Sequence, residues 1–304
     1  MQAADQPPDE NTYVIDAESA AEMARLLDQD RLLTKHLGGL LPERPDFAHI
    51  HHVLDLACGP GGWAQAVALA HPEIEVVGID ISRTMIEYAR AMAQVQRSSN
   101  VTFRIMDVLR PLDFPDNSFD LVNARLIFGF MPPAAWPRLM QECMRVTRSG
   151  GIIRLIECES DITTSAATQR LTGMVTHALQ LAGRSFSPDG RHFGIIPMLG
   201  HFLHEVGYQS IQKQAYALDW SAGMEANAST RLNLQFLLKL LEPFLVKMQL
   251  ITEEEFEPLY QLAVAEMLSN NFCAVTIFLS VWGGKALTTL DDEWRDKPCQ
   301  SLCR

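Results

Sequence analysis

The rhythm of apolar and polar positions changes along the chain, and each change predicts a different part of the architecture. Over residues 13–41, Met23, Leu26, Leu27, Leu32, Leu33 and Leu37 recur at helical spacing and Gly38-Gly39 closes the run, so an amphipathic helix is expected. From residue 52 the pattern alternates. Short apolar runs at 53–56, 74–79, 101–105, 119–123 and 152–156 read as strands, while 63–70, a segment capped by Ser82, and 136–146 read as helices. Such alternation predicts right-handed crossovers and a mainly parallel sheet. Beyond Glu157 the regularity loosens. Residues 162–182 and 198–206 read as helices, 184–194 as a polar loop, 226–268 as helical with breaks at Pro243 and Pro258, and 211–218 and 272–282 as late strands. The expectation is an α/β fold: a Rossmann-like, seven-stranded, mainly parallel sheet with an N-terminal helical arm and an α-helical cap. Its divisions are an arm over 1–45, a core over 46–160, cap helices with the sheet's last strands over 161–285, and a tail over 286–304.

Charge narrows the partners. With 37 acidic against 25 basic residues the net charge is −12, which speaks against nucleic acid and against an anionic membrane, since both need clustered Lys and Arg. The first ten residues have neither an apolar signal core nor an Arg-rich amphipathic pattern, and the longest apolar run, 272–282, is shorter than the ~20 residues of a spanning helix. Six scattered cysteines form no CxxC pair and no Cys/His cluster, so neither a metal site nor a disulfide framework is expected. These features read as a cytoplasmic protein with reduced thiols and no metal.

The candidate chemistry begins where the first strand, Val53-Leu54-Asp55-Leu56, runs into Ala57-Cys58-Gly59-Pro60-Gly61-Gly62. Glycines here let a ligand approach the backbone where a Cβ would block it. Taken alone the loop is ambiguous: Gly59, Gly61 and Ala64 also fit a relaxed dinucleotide fingerprint, with Asp80 at a suitable distance to bind a ribose. The wider constellation is more specific. Asp55 lies in the first strand, Asp80 ends the second and Asp107 follows the third, and open α/β sheets bind ligands at those strand ends. Downstream come the stretch from Phe114 to Val122 and the stretch Arg145-Val146-Thr147-Arg148-Ser149-Gly150-Gly151.

Over residues 52–157 this set resembles the class I S-adenosylmethionine-dependent methyltransferases, most nearly the ubiquinone/menaquinone-biosynthesis type. The resemblance implies that S-adenosylmethionine is the cofactor. It assigns Asp55, Ala57, Gly59 and Gly61 to the methionine-end loop, Asp80 to the ribose, Ile81 to packing on the adenine, and Asp107 with Val108 to the adenine edge. Asn123 and Arg125, just past the fourth strand, would line the reactive side. Ala57 stands where the family usually has its first glycine, a small departure. Outside the core, the segment from Tyr13 to Leu41 and the late helical insertion look more distantly like bacterial natural-product methyltransferases. That likeness implies an arm closing over the cofactor, with the Tyr13 ring near the sulfonium.

An oxygen or nitrogen acceptor calls for a base near neutral pKa, so His192 in the polar loop, then Glu157 and His177, are the candidate catalytic groups. Large apolar side chains in the covering segments suit a sizeable, largely apolar metabolite methylated on O, C or N, of the natural-product kind. The same apolar helices would equally serve a homo-oligomer. Two other functions compete: an NAD-dependent oxidoreductase on a similar sheet, against which Asp107 speaks, and an S-adenosylmethionine-binding protein without catalysis.

Overall fold

The computed structural model describes residues 13–43 and 49–287; the expected tail therefore lies almost wholly outside the described residues, as do the first twelve residues. Five strands, β1 (His52–Leu56), β2 (Glu75–Asp80), β3 (Val101–Ile105), β4 (Phe119–Arg125) and β5 (Thr147–Cys158), pair in parallel in the order β3-β2-β1-β4-β5. The chain then reverses. β8 (Ala274–Gly284) runs antiparallel to β5, and β7 (Gln209–Asp219) runs antiparallel to β8 on its other side. A two-residue strand, β6 (Ile162–Thr163), meets the start of β8, and Val275 pairs with both Ile162 and Asp219. Among the described residues the sheet thus has eight strands, seven of them of five residues or more. Segment 162–163, read from the sequence as helix, is strand because its backbone completes the β8 edge.

Helices α2 (Gly62–Ala70), α3 (Arg83–Gln96) and α4 (Trp136–Val146) make three of the four crossovers between the parallel strands, and residues 106–118 join β3 to β4 without a helix. Ser82 accepts from the Met85 amide and so caps α3, as its sequence position predicts. Parallel strands covered on both faces should be apolar throughout. After its first residue, His52, β1 obeys this except at Asp55, which begins a polar row across the sheet. Asp55, Asn123 and Arg154 are register partners on β1, β4 and β5. Asn123 donates to Asp55 Oδ1 at 2.8 Å, Arg154 donates to Asn123 Oδ1 at 3.3 Å, and Arg154 pairs with Glu43 at 3.1 Å. Each member answers the next, which is what makes burial of such groups tolerable.

The cap comprises α5 (Ala166–Leu181), α6 (Leu199–Glu205), α7 (Asn227–Lys247) and α8 (Glu253–Met267). The arm helix α1 (Ala20–Leu37) contributes Leu33 and Leu37 to the same apolar cluster as Leu171 of α5, Leu238 of α7 and Phe256 of α8. Pro243 and Pro258 both lie inside helices, so the expected breaks do not occur there. The single break between α7 and α8 has another cause: Gln249 adopts a left-handed φ of 58°, and Thr252 with Glu255 forms a capping box that starts a new helix. Each proline removes one intrahelical hydrogen bond, a loss that packing of a long apolar face outweighs.

Candidate active site

At the C-terminal ends of β1, β2 and β4 the sheet opens into a cleft with about 1080 Å³ of atom-free space, its open mouth included. The loop after β1 forms its floor through left-handed backbone at Ala57 (φ 49°), Gly59 (φ 53°) and Gly61 (φ 78°). A Cβ placed on Gly59 would stand 3.6 Å from Leu26 of α1, intruding on the gap between loop and arm. At Gly62 the same atom would lie 2.4 Å from Asp30 Oδ2, so glycine there admits the arm's carboxylate.

Two carboxylates line one wall. Asp80 Oδ2 accepts from the Gly59 amide at 2.8 Å and Oδ1 from the Ser82 amide at 2.9 Å. Burial pushes its pKa up, and those amides oppose the rise. Asp107 Oδ1 accepts from the Leu109 amide at 2.8 Å. A carboxylate offers about four acceptor sites, so both retain capacity for a ligand's hydroxyl or amine. The opposite wall is the arm, with Leu26, Gln29 and Asp30, and Arg125 closes one end, paired with Asp30 and lying 5.6 Å from the Trp63 ring. An adenosyl group with two ribose hydroxyls and an exocyclic amine fits this donor-accepting, glycine-floored cleft.

Of the cofactor candidates from the sequence, Tyr13, Ala57, Gly59, Asp80, Ile81, Asp107, Val108 and Arg125 line the cleft. Three do not. Asp55 and Asn123 are buried behind the floor and bonded to each other, with the Asp55 carboxyl pushed up to about 7 by burial. Gly61 caps α2 and faces Phe103, which leaves no room for a Cβ. Conversely, Leu26, Gln29, Asp30 and Phe130 line the cleft without having been singled out. The first three lie on α1, which carries only an ordinary amphipathic pattern, so no sequence signal marks which face meets a ligand; Phe130 lies in the turn after β4.

A second cavity, with about 1310 Å³ of atom-free space including its open mouth, adjoins the first and shares Tyr13, Leu26, Gln29, Leu33 and Leu126 with it. Its remaining wall is mostly apolar, drawn from α5, α7 and β8 through side chains such as Val175, Leu179, Leu234, Leu238 and Phe278. Tyr13 stands at the junction. Its hydroxyl donates to Glu22 at 2.6 Å, and its ring meets Phe130 edge-on at 6.3 Å. Glu22 is fully buried and clamped by Arg25 through two 2.7 Å bonds, and Arg25 also reaches Asn233 of α7 at 3.0 Å.

The proposed catalytic histidines are not brought to either cavity. His177 is exposed on α5; it lies two residues from Val175 and two from Leu179, and so on the opposite face from the cavity wall. His192 is exposed because Glu159 accepts from the Phe193 amide at 2.6 Å and the Gly194 amide at 3.3 Å, holding the loop's next residues inward. Glu157 is buried, but its Oε1 accepts from the Ile127 amide at 2.9 Å and it lines neither cavity. Burial pushes its carboxyl up to about 8, against the Ile127 and Phe128 amides. Its position is that of an anchor for the turn after β4. Among the described residues no group of three or more His, Cys, Asp or Glu side chains could hold a metal. Among the described residues, too, no helix is long and apolar enough to cross a membrane.

Comparison with known proteins agrees with this geometry. The family profile described as a methyltransferase domain matches residues 53–151. A demethylmenaquinone methyltransferase of Lactiplantibacillus plantarum is 31% identical over 183 residues, covering 54% of this chain and 73% of that enzyme. The 27-O-demethylrifamycin SV methyltransferase of Amycolatopsis mediterranei is 34% identical over 135 residues, covering 44% of this chain and 47% of the other. Several further curated relatives are spanned over less than half of their length, from 37% to 46%. Among solved structures, phosphoethanolamine N-methyltransferase 2 of Haemonchus contortus superposes with a TM-score of 0.53 at 15% identity, covering 88% of this chain and 57% of that one, a likeness of fold. The oxidoreductase and the silent binder are not favoured. The cofactor is S-adenosylmethionine, and the chain belongs to the class I S-adenosylmethionine-dependent methyltransferases.

Proposed function

We propose that this enzyme transfers a methyl group to a sizeable, largely apolar small molecule held in the second cavity. The observation that carries this reading is the junction: one apolar chamber opens onto the cofactor cleft across Tyr13, Leu26, Gln29, Leu33 and Leu126. Bound S-adenosylmethionine supplies a methyl carbon activated by its sulfonium. In this reading Asp80 accepts from the ribose hydroxyls and Asp107 from the adenine amine, with Ile81 and Val108 against the base. Ala57 and Gly59 leave room for the methionine end, while Asp55, Asn123 and Gly61 hold the floor from behind. Arg125 fixes the arm through Asp30, and the Tyr13 ring provides an aromatic surface attractive to positive charge. The remaining task of the protein is to align the acceptor and exclude water, which closure of arm and cap over the junction performs. The division into arm (1–45), core (46–160) and cap (161–285) follows these roles. An acceptor of natural-product type is supported by the relative named for demethylrifamycin.

The test uses 2-methylnaphthalene as an apolar probe of the second cavity in protein loaded with S-adenosylhomocysteine. Val175→Trp should weaken probe binding about tenfold or more by filling the cavity, while the affinity for S-adenosylhomocysteine stays within about three-fold. Circular dichroism verifies folding, and Leu179→Phe gives a milder obstruction. Equal probe affinity in wild type and both variants would place the acceptor elsewhere.

A further inference from the structure

The second cavity carries a polar feature that the methyltransferase reading leaves unused. Asp161 follows β5 and lines the chamber, enclosed by protein yet retaining accessible surface. Gln169 donates to its backbone carbonyl at 2.8 Å, and among the described residues its carboxylate accepts from one side chain, the hydroxyl of Thr276 on β8. That hydroxyl itself accepts from the Trp220 indole N–H at 3.2 Å. An indole nitrogen can only donate, so Thr276 must turn its own proton toward Asp161. The relay therefore presents Asp161 as an acceptor, with capacity left on the cavity side. On α7, Thr230 is 7% exposed and lines the same cavity, and among the described residues its hydroxyl has no hydrogen-bond partner. A polar atom left unpaired in an apolar chamber is costly unless a ligand answers it.

We propose that Asp161 recognises a hydroxyl group on an otherwise apolar acceptor, with Thr230 as a second polar contact. The inference rests on the second cavity being the acceptor site. Other ionisable groups around the chamber are committed elsewhere. Arg25 is held by Glu22, Tyr13 donates to Glu22, and Glu159 accepts from the amides of Phe193 and Gly194. Cys158, on the same segment, is pushed up by burial and by neighbouring carboxylates and stays a thiol. Burial raises the Asp161 carboxyl to about 6, opposed by Thr276 alone. It is thus ionised, and the stronger acceptor, above that pH.

The experiment compares 2-naphthol with 2-methylnaphthalene, two probes of similar size and shape, in protein loaded with S-adenosylhomocysteine. Wild type should prefer the naphthol about tenfold or more, as a hydrogen bond to a charged acceptor allows. The preference should shrink as pH falls through about 6. Asp161→Ala should bring the ratio near one at every pH. Asp161→Asn, which keeps shape and an oxygen for Thr276, should give an intermediate, pH-independent ratio, and Thr230→Val a smaller loss. Equal losses for both probes in the Asp161 variants would show a merely structural role and overturn the proposal. No naphthol preference in wild type, with 2-methylnaphthalene still excluded by Val175→Trp, would overturn this inference and leave the acceptor site standing. Indifference of both probes to Val175→Trp would overturn the acceptor site itself.

Discussion

Arg25→Met is the most informative single perturbation of the arm. Arg25 and Glu22 are 5% and 0% exposed, joined by two bonds of 2.7 Å, and they link Tyr13 on the arm to Asn233 on the cap. Methionine fills much of the same volume and removes the charge. Glu22 is then left as a buried carboxylate with Tyr13 as its remaining side-chain donor. Breaking a buried ion pair from one side costs about 3–5 kcal/mol, far more than the net worth of the intact pair. At about 2–4 °C per kcal/mol, the melting temperature should fall by about 6–20 °C. Replacing both residues, as in Glu22→Leu with Arg25→Met, removes the orphaned charge and should recover at least half of that loss, even with the Tyr13–Glu22 hydrogen bond gone. Differential scanning fluorimetry with and without S-adenosylhomocysteine reads both effects. A single variant melting within about 2 °C of wild type, or a double variant no better than the single, would refute this account of the arm.

Glu157 gives a pH signature. Its folded pKa of about 8 lies above the ordinary 4.5, so its stabilising contribution is complete below about 4.5 and is lost as pH rises through about 8. Glu157→Gln mimics the protonated acid, so its melting temperature should match wild type near about pH 5 and exceed it by several degrees near about pH 8; parallel pH profiles would contradict this. His177→Ala and His192→Ala, both on exposed side chains outside the cavities, should leave methyl transfer within about two-fold in a radiolabelled-methyl assay. A tenfold loss would return a catalytic histidine to the mechanism. Turnover should also survive EDTA, and its loss with restoration by magnesium would reveal a metal-assisted reaction.

Much of the sheet was legible because parallel strands announce themselves as short apolar runs between glycine turns. Asp80 and Asp107 were legible because carboxylates at successive strand ends have few structural reasons to recur. What was hidden is tertiary. Asp30 lines the cleft only because α1 docks across it, a fact that no residue within α1 signals. Pro243 and Pro258 suggested breaks that the packing of α7 and α8 overrides. The placement of the two histidines was equally hidden, since helical phase turns His177 away from the cavity wall and Glu159 fixes the loop beside His192. Asp161 was a lone acid before a segment that reads as helix until the fold set it beside Thr276.

The central claim is that the carboxylates at the strand ends hold S-adenosylmethionine, and calorimetric titration tests it most directly. Wild type should bind S-adenosylmethionine and S-adenosylhomocysteine in saturable one-to-one fashion and show no binding of NADH. Asp80→Ala, which loses the acceptor proposed for the ribose and the anchor for the Gly59 amide, should weaken both about tenfold or more. Binding of NADH without S-adenosylmethionine, or full affinity in Asp80→Ala, would contradict the account.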